Sequence, residues 1–332
     1  IPNVLPRAEM VAYVRKDIAK LGETPDVVLI HSPCASGFAS HGCQLATSEE
    51  IAQAWLGMED ALKAGLTRAI GVSNFAVEHL QPILDLGGTV PALNQCEMYV
   101  GSYDEDTANF CKRHGITYEA YSPLGRGNLN VQDPRIQKIA QAHGKSVYQV
   151  CLHWIVQLGS PIAVSSTTLS HDLSDLDIFG FELSAAEMAE LSGIHEVKKE
   201  TQAEDEMMAR QQQRAAAAAA PTIEIAPGVY MPMVNLGHPD GASRGGNATA
   251  NETAALELWL SAQVNGSGID TARSYANQAQ VGTAMRASGR ARSELFLTTK
   301  IHNVFSRAKT LASSKEDVAS CNATRWWQWK DR

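Results

Sequence analysis

Short apolar runs alternate along this chain with longer segments in which apolar residues return every three or four positions. The runs are 26–31 (DVVLIH), 68–72 (RAIGV), 92–96 (ALNQC), 117–121 (TYEAY) and 161–165 (PIAVS), then 233–236 (MVNL), 268–271 (GIDT) and 295–299 (LFLTT). Consecutive apolar positions predict strands buried on both faces, as in a parallel sheet under helices. The periodic segments between them, such as 49–63, 134–143 and 252–263, predict amphipathic helices. Five βα units precede residue 200 and three follow residue 220. Eight such units predict an α/β fold, a (β/α)8 TIM barrel forming one domain over 1–332.

Two segments break the alternation. Residues 201–220 (TQAEDEMMARQQQRAAAAAA) are strong helix formers with almost no apolar stripe, which predicts a helical or flexible spacer. Residues 222–231 (TIEIAPGVYM) hold two short runs around Pro227-Gly228, which predicts a β-hairpin placed as a plug for the barrel floor. The ends of the chain repeat each other at an offset of 300. Ile1, Asn3, Val4, Arg7, Ala8, Ala12, Asp17 and Ala19 recur as Ile301, Asn303, Val304, Arg307, Ala308, Ala312, Asp317 and Ala319. A tandem duplication trimmed at both ends leaves this pattern. Only one copy can fill the helix position, and the first has the better apolar face: Met10, Val11, Val14, Ile18 and Leu21.

Charge narrows the partners. The net charge of −8, without long basic runs, argues against a nucleic-acid surface. No run of about 18 apolar residues predicts a membrane span. The six cysteines form no CxxC pair, which gives disulfides and zinc sites little support and points to the cytoplasm or another reducing compartment, an organelle included. The tail Arg325-Trp326-Trp327-Gln328-Trp329 and the spacer offer a surface for a protein partner.

Six motifs, taken from 221 to 300 and then onward from residue 1, stand in one cyclic order: GIDTARSYANQAQVG (268–282), LFLTTK (295–300), LIHSP (29–33), GVSNF (71–75), LNQCE (93–97) and AYSPLG (120–125). In this the chain resembles the aldo-keto reductase superfamily in circularly permuted order. The resemblance divides the domain into 1–200 (the C-terminal portion of the family fold, its strands 4–8), the spacer 201–220, the N-terminal portion 221–300 (hairpin and strands 1–3) and an extra tail 301–332. It implies a catalytic tetrad of Asp270, Tyr275, Lys300 and His31, and reduction of an aldehyde or ketone with NADPH or NADH. A phenol titrates near pH 10, so Tyr275 needs the neighbouring ammonium of Lys300 to serve as an acid near neutrality. Asp270 would hold that lysine, and His31 would orient the carbonyl oxygen.

The same resemblance implies that Ser73, Asn74 and Gln95 bind the nicotinamide carboxamide, that Tyr121 stacks on its ring and that Ser122 and Leu124 follow the pyrophosphate. Further on the pattern departs. Val164 and His171 stand where many members have a lysine and an arginine for the 2′-phosphate, and Asp175 replaces an asparagine near the adenine, leaving Ser165 and Ser166 as neutral donors. Losing two cations and gaining an anion weakens binding of a phosphate. Three outcomes follow from this: weaker NADPH binding, a shift toward NADH, or loss of the cofactor. Gln278 stands where the family often has an acid. The reductase reading therefore has a rival, a weakly active or non-catalytic barrel serving as a structural subunit of a larger assembly.

Overall fold

The apolar runs all become strands. The computed structural model describes residues 5–37, 43–166, 168–194, 221–237, 250–272 and 277–301. In chain order the elements are α1 (Arg7–Leu21), β1 (Val27–Ile30), β2 (Cys34–Gly37), β3 (Cys43–Leu45), α2 (Ser48–Lys63), β4 (Ala69–Ser73), α3 (Val77–Leu84), β5 (Leu93–Glu97), α4 (Glu105–Arg113), β6 (Thr117–Tyr121), α5 (Pro134–His143), α6 (Val147–Gln157), β7 (Ile162–Val164), α7 (Leu169–Leu176) and α8 (Ala185–Ser192). After the spacer follow β8 (Thr222–Ala226), β9 (Val229–Pro232), β10 (Val234–Leu236), α9 (Ala250–Leu260), β11 (Gly268–Asp270), α10 (Gln278–Ala287) and β12 (Phe296–Ile301).

Local chemistry sets the helix ends. Thr47 with Glu50, Ser146 with Gln149 and Ser184 with Glu187 form capping boxes at α2, α6 and α8. Asp104 and Asp133 cap α4 and α5, and Gly22 and Gly144 close α1 and α5 in the left-handed conformation. The helix expected at 252–263 is shifted to Ala250–Leu260. It ends at Ser261, whose hydroxyl turns back to the Leu258 carbonyl at 2.6 Å.

Eight strands close into a TIM barrel in the order β1-β12-β11-β10-β7-β6-β5-β4, every neighbouring pair parallel. Residues facing outward, among them Val28, Ile30, Ile70, Val72 and Leu297, pack under the helices with the fully buried Trp55, Trp154 and Trp259. Those facing inward at the lower end, Val27, Leu29, Leu93 and Phe296, meet Ile225, Val229 and Met231 of the antiparallel β8–β9 hairpin. The hairpin thus forms the expected floor.

The barrel closes where β1 pairs with β12, from Val27 opposite Thr298 to Ile30 opposite Ile301. Asp26 clamps this joint. Its amide donates to the Leu297 carbonyl at 2.9 Å, and its carboxylate accepts from the Leu297 amide at 3.0 Å, Arg292 at 2.9 Å and Arg68 at 2.9 Å. Arg68 also donates to the Gly228 carbonyl at 2.6 Å, tying the floor to the joint. Outside, α1 lies between α2 and α10. Met10, Val14 and Leu21 are buried, and Val11 and Ile18 pack against the core. The approach is close: a methyl at Gly57 would meet the Met10 side chain at 2.6 Å, and one at Gly282 would run into the Leu21 carbonyl.

One sequence expectation is corrected. Cys34 and Cys43 form a disulfide across the β2–β3 hairpin, with Cα atoms 5.7 Å apart. The pairing was missed because the hairpin, not a short CxxC spacing, brings the two together. The cysteines therefore no longer argue for a reducing compartment. Tyr275, the spacer 201–220 and the tail beyond Ile301 lie outside the described residues.

Replacing Asp26 by Ala strips a buried Leu297 amide of its side-chain partner and two arginines of their anion. We expect a loss of about 1–3 kcal/mol in urea denaturation, with Asp26→Asn losing less.

Candidate active site

In a parallel barrel alternate side chains point inward, and the chemistry collects at the C-terminal strand ends. The register of β11 and β12 pairs Asp270 with Thr298, which places Lys300 one inward step higher on the next strand. Lys300 is 2% exposed, and its Nζ makes a close ion pair with Asp270 Oδ1. β1 pairs Leu29 with Lys300, so His31 follows at the top of the adjoining strand, partly buried. Three of the four expected tetrad residues thus share one end of the barrel. The fourth, Tyr275, is outside the described residues.

Gln95 connects this pair to a group the sequence reading missed. Its amide nitrogen makes a close hydrogen bond to Asp270 Oδ2 and donates to Glu119 Oε2 at 2.8 Å. Glu119 is fully buried inside the barrel. Burial, and then the charge of Asp270, push its carboxyl up to about 8, while Gln95 and Lys300 act in the opposite direction. The signal was in the sequence: one acid in the middle of the TYEAY run, at an inward position of a strand with no wet face.

The residues expected to meet a nicotinamide form a connected rim. The Ser73 hydroxyl donates to the Gln95 carbonyl at 2.8 Å. Asn74 is held at φ 61°; its amide donates to the His31 carbonyl at 2.9 Å and to the Ser73 hydroxyl at 3.1 Å, and its oxygen accepts from the Tyr121 hydroxyl at 2.9 Å. Ser122, at φ 50°, accepts from Arg126 at 2.7 Å, and the Arg126 guanidinium lies 5.8 Å from the centre of the Tyr121 ring. Arg126, exposed on this rim, was also missed. Leu124 packs against the core. Gln278 is buried and donates to the Thr299 hydroxyl at 3.1 Å.

The far end has a different character. Val164 is buried, while Ser165 and His171 are exposed. Ser166 is buried and its hydroxyl donates to the Thr168 carbonyl at 3.1 Å. On α7 both Asp172 and Asp175 are buried; burial pushes their carboxyls up, to about 6 and about 8. Among the described residues no group of three His, Cys, Asp or Glu is placed to hold a metal ion, and no helix is long and apolar enough to cross a membrane.

The aldo/keto reductase family model matches residues 6–196. An aldo-keto reductase of Mycobacterium sp. (strain MCS) is 37% identical over 183 residues, which is 55% of this chain and 60% of that protein. The 2,5-diketo-D-gluconic acid reductase B of a Corynebacterium sp. is 36% identical over 189 residues, 57% of this chain and 64% of that protein. Among solved structures, a Bombyx mori aldo-keto reductase in complex with NADP matches with TM-score 0.52 and 28% identity, over 58% of this chain and 64% of that one. The chain therefore spans about six tenths of the length of the curated relatives it matches.

Removing the ammonium leaves Asp270 buried without its counter-charge. Lys300→Met is expected to lose on the order of 3–5 kcal/mol of stability by urea denaturation, and Lys300→Met combined with Asp270→Leu to recover much of it.

Proposed function

Because the chain belongs to the aldo/keto reductase family, we propose that it reduces an aldehyde or ketone to an alcohol with a nicotinamide cofactor. The observation that carries this reading is the buried Asp270–Lys300 pair at the C-terminal end of the barrel, beside His31. When bound, the nicotinamide supplies the hydride. Tyr275 gives its proton to the carbonyl oxygen as negative charge develops there. Lys300 favours the phenolate that remains, and Asp270 keeps that lysine charged and in place. His31 donates to the same oxygen and orients it.

The chain's residues fit the nicotinamide end of the cofactor. Tyr121 supplies an aromatic ring on the rim, its hydroxyl held by Asn74, and Asn74 and Gln95 are amides that would exchange some of their present hydrogen bonds for those of a carboxamide. Ser122 and Leu124 would follow the pyrophosphate. The adenosine end fits a 2′-phosphate less well: Ser165, Ser166 and His171 supply no fixed positive charge. This favours weaker NADPH binding or a shift toward NADH.

We also propose that the barrel is a circularly permuted member of the family, built from 1–200 and 221–300 around the spacer 201–220, with the tail 301–332 left from a tandem duplication. Two observations support this. The family match ends at 196, while β10, β11 and β12 complete the ring; and β12 adjoins β1. The missing 2′-phosphate cations at Val164 and His171 favour one second reading, a barrel retained as a structural subunit that meets a protein partner through its spacer or tail.

Titration with NADPH and NADH, followed by cofactor fluorescence, separates the two. Binding, with turnover of a generic aldehyde that falls by more than about a hundredfold in Tyr275→Phe, supports the reductase. Absence of binding of either cofactor at millimolar concentration sinks it. His171→Arg should tighten NADPH by about tenfold and leave NADH nearly unchanged.

A further inference from the structure

Glu119 is a buried acid outside both the tetrad and the set of cofactor residues. Its Oε2 accepts from Gln95 at 2.8 Å, and its Oε1 lies 3.5 Å from the Asn235 amide nitrogen. The Gln95 nitrogen also reaches Asp270 Oδ2, and Asp270 Oδ1 holds Lys300. The path Glu119–Gln95–Asp270–Lys300 thus joins four strands inside the barrel. It contains two carboxyl groups and one ammonium, all shut away from water. Both acids ionised would leave an uncompensated buried anion, which a single proton removes. Asp270 has the direct ammonium contact, whereas among the described residues the hydrogen-bond partners of Glu119 are neutral amides, which favour a carboxylate less, so the proton belongs on Glu119.

We propose that Glu119, in its neutral acid form, is a positioning residue that holds the Asp270–Lys300 pair in its working geometry through Gln95. Its kinetic consequence rests on the reductase reading. The charged groups acting on Glu119 are Asp270 from β11 and Lys300 from β12; β5 and β10 contribute the neutral amides of Gln95 and Asn235. Loss of the proton puts a second anion beside Asp270. Lys300 is then shared between two carboxylates, and its field at the Tyr275 phenol is partly cancelled. Burial and Asp270 place this loss at about pH 8. The folded state therefore keeps a proton that the unfolded chain has already released. From the unfolded carboxyl value upward the wild type loses stability with rising pH, until Glu119 itself ionises.

The test compares wild type, Glu119→Gln and Glu119→Leu in two ways. The first needs no turnover: urea midpoints are measured at about pH 5.5 and about pH 9. Glu119→Gln, which cannot ionise, should gain stability relative to wild type at the higher pH. A difference that does not change with pH overturns the proposal. The second follows kcat and KM against pH for a generic aldehyde. Wild-type kcat should fall above about pH 8, and in Glu119→Gln that fall should move to higher pH, where Tyr275 itself ionises, at a neutral-pH kcat several-fold lower. Glu119→Leu should lose more than about tenfold in kcat at every pH, with KM little changed. An alkaline fall that stays at the same pH in Glu119→Gln overturns the proposal while leaving the reductase reading intact. A wild type without turnover that still shows the pH-dependent stability difference overturns the reductase reading and keeps the buried proton. If Glu119→Leu does not fold, Glu119→Gln decides alone.

Discussion

Everything at the C-terminal face depends on the pairing of β1 with β12. This is the contact that turns eight strands into a ring, and it joins parts of the chain 271 residues apart, as at Asp26 and Leu297. Ordering so distant a contact costs loop-closure entropy before it returns anything. The structure concentrates favourable interactions there. A four-residue parallel ladder runs along the joint, Asp26 gathers two arginines and a backbone amide below it, and α1 packs against both α2 and α10 outside it. The glycines at 57 and 282 let α1 come close enough to cover the joint.

The ring in turn sets the electrostatics of its interior. A closed parallel barrel offers no wet face to its inward side chains, so each inward polar group needs a partner across the lumen. The lower lumen solves this with apolar residues and the hairpin floor. The upper lumen holds Asp270, Lys300, Glu119 and Gln95, linked to one another. Such a cluster is stable only as a unit, which is why its pieces lie on different strands yet cannot be separated.

How far this could be read from the residues varies with the range of the interaction. The strands were legible because parallel-sheet burial writes itself as consecutive apolar positions, and the α5 limits because Asp133, Pro134 and Gly144 are local signals. The Asp270–Lys300 contact was legible through motifs at strand ends. The role of Glu119 was not, since a single acid in TYEAY gains its meaning only when Gln95 and Asp270 arrive from other strands. The Cys34–Cys43 disulfide escaped for a related reason: two cysteines nine positions apart become neighbours only through a hairpin whose sequence, CASG and CQL, has no strong strand pattern. Asn74 is intermediate. Its left-handed backbone is common for asparagine, but its link between His31 and Tyr121 is a product of the barrel.

The placement of Lys300 on the last barrel strand also orders events during synthesis. His31, Ser73, Asn74, Gln95 and Glu119 leave the ribosome early, and Asp270 and Lys300 follow only after the hairpin and β10, on β11 and β12. Until β12 docks, the early strands expose an open edge, and Glu119 faces a lumen still accessible to water. The charge cluster and the closed ring therefore come into existence together. Chains that stop short of Lys300 lack both the ammonium and the seal. In this molecule the closing of the ring and the assembly of its chemistry are one and the same step.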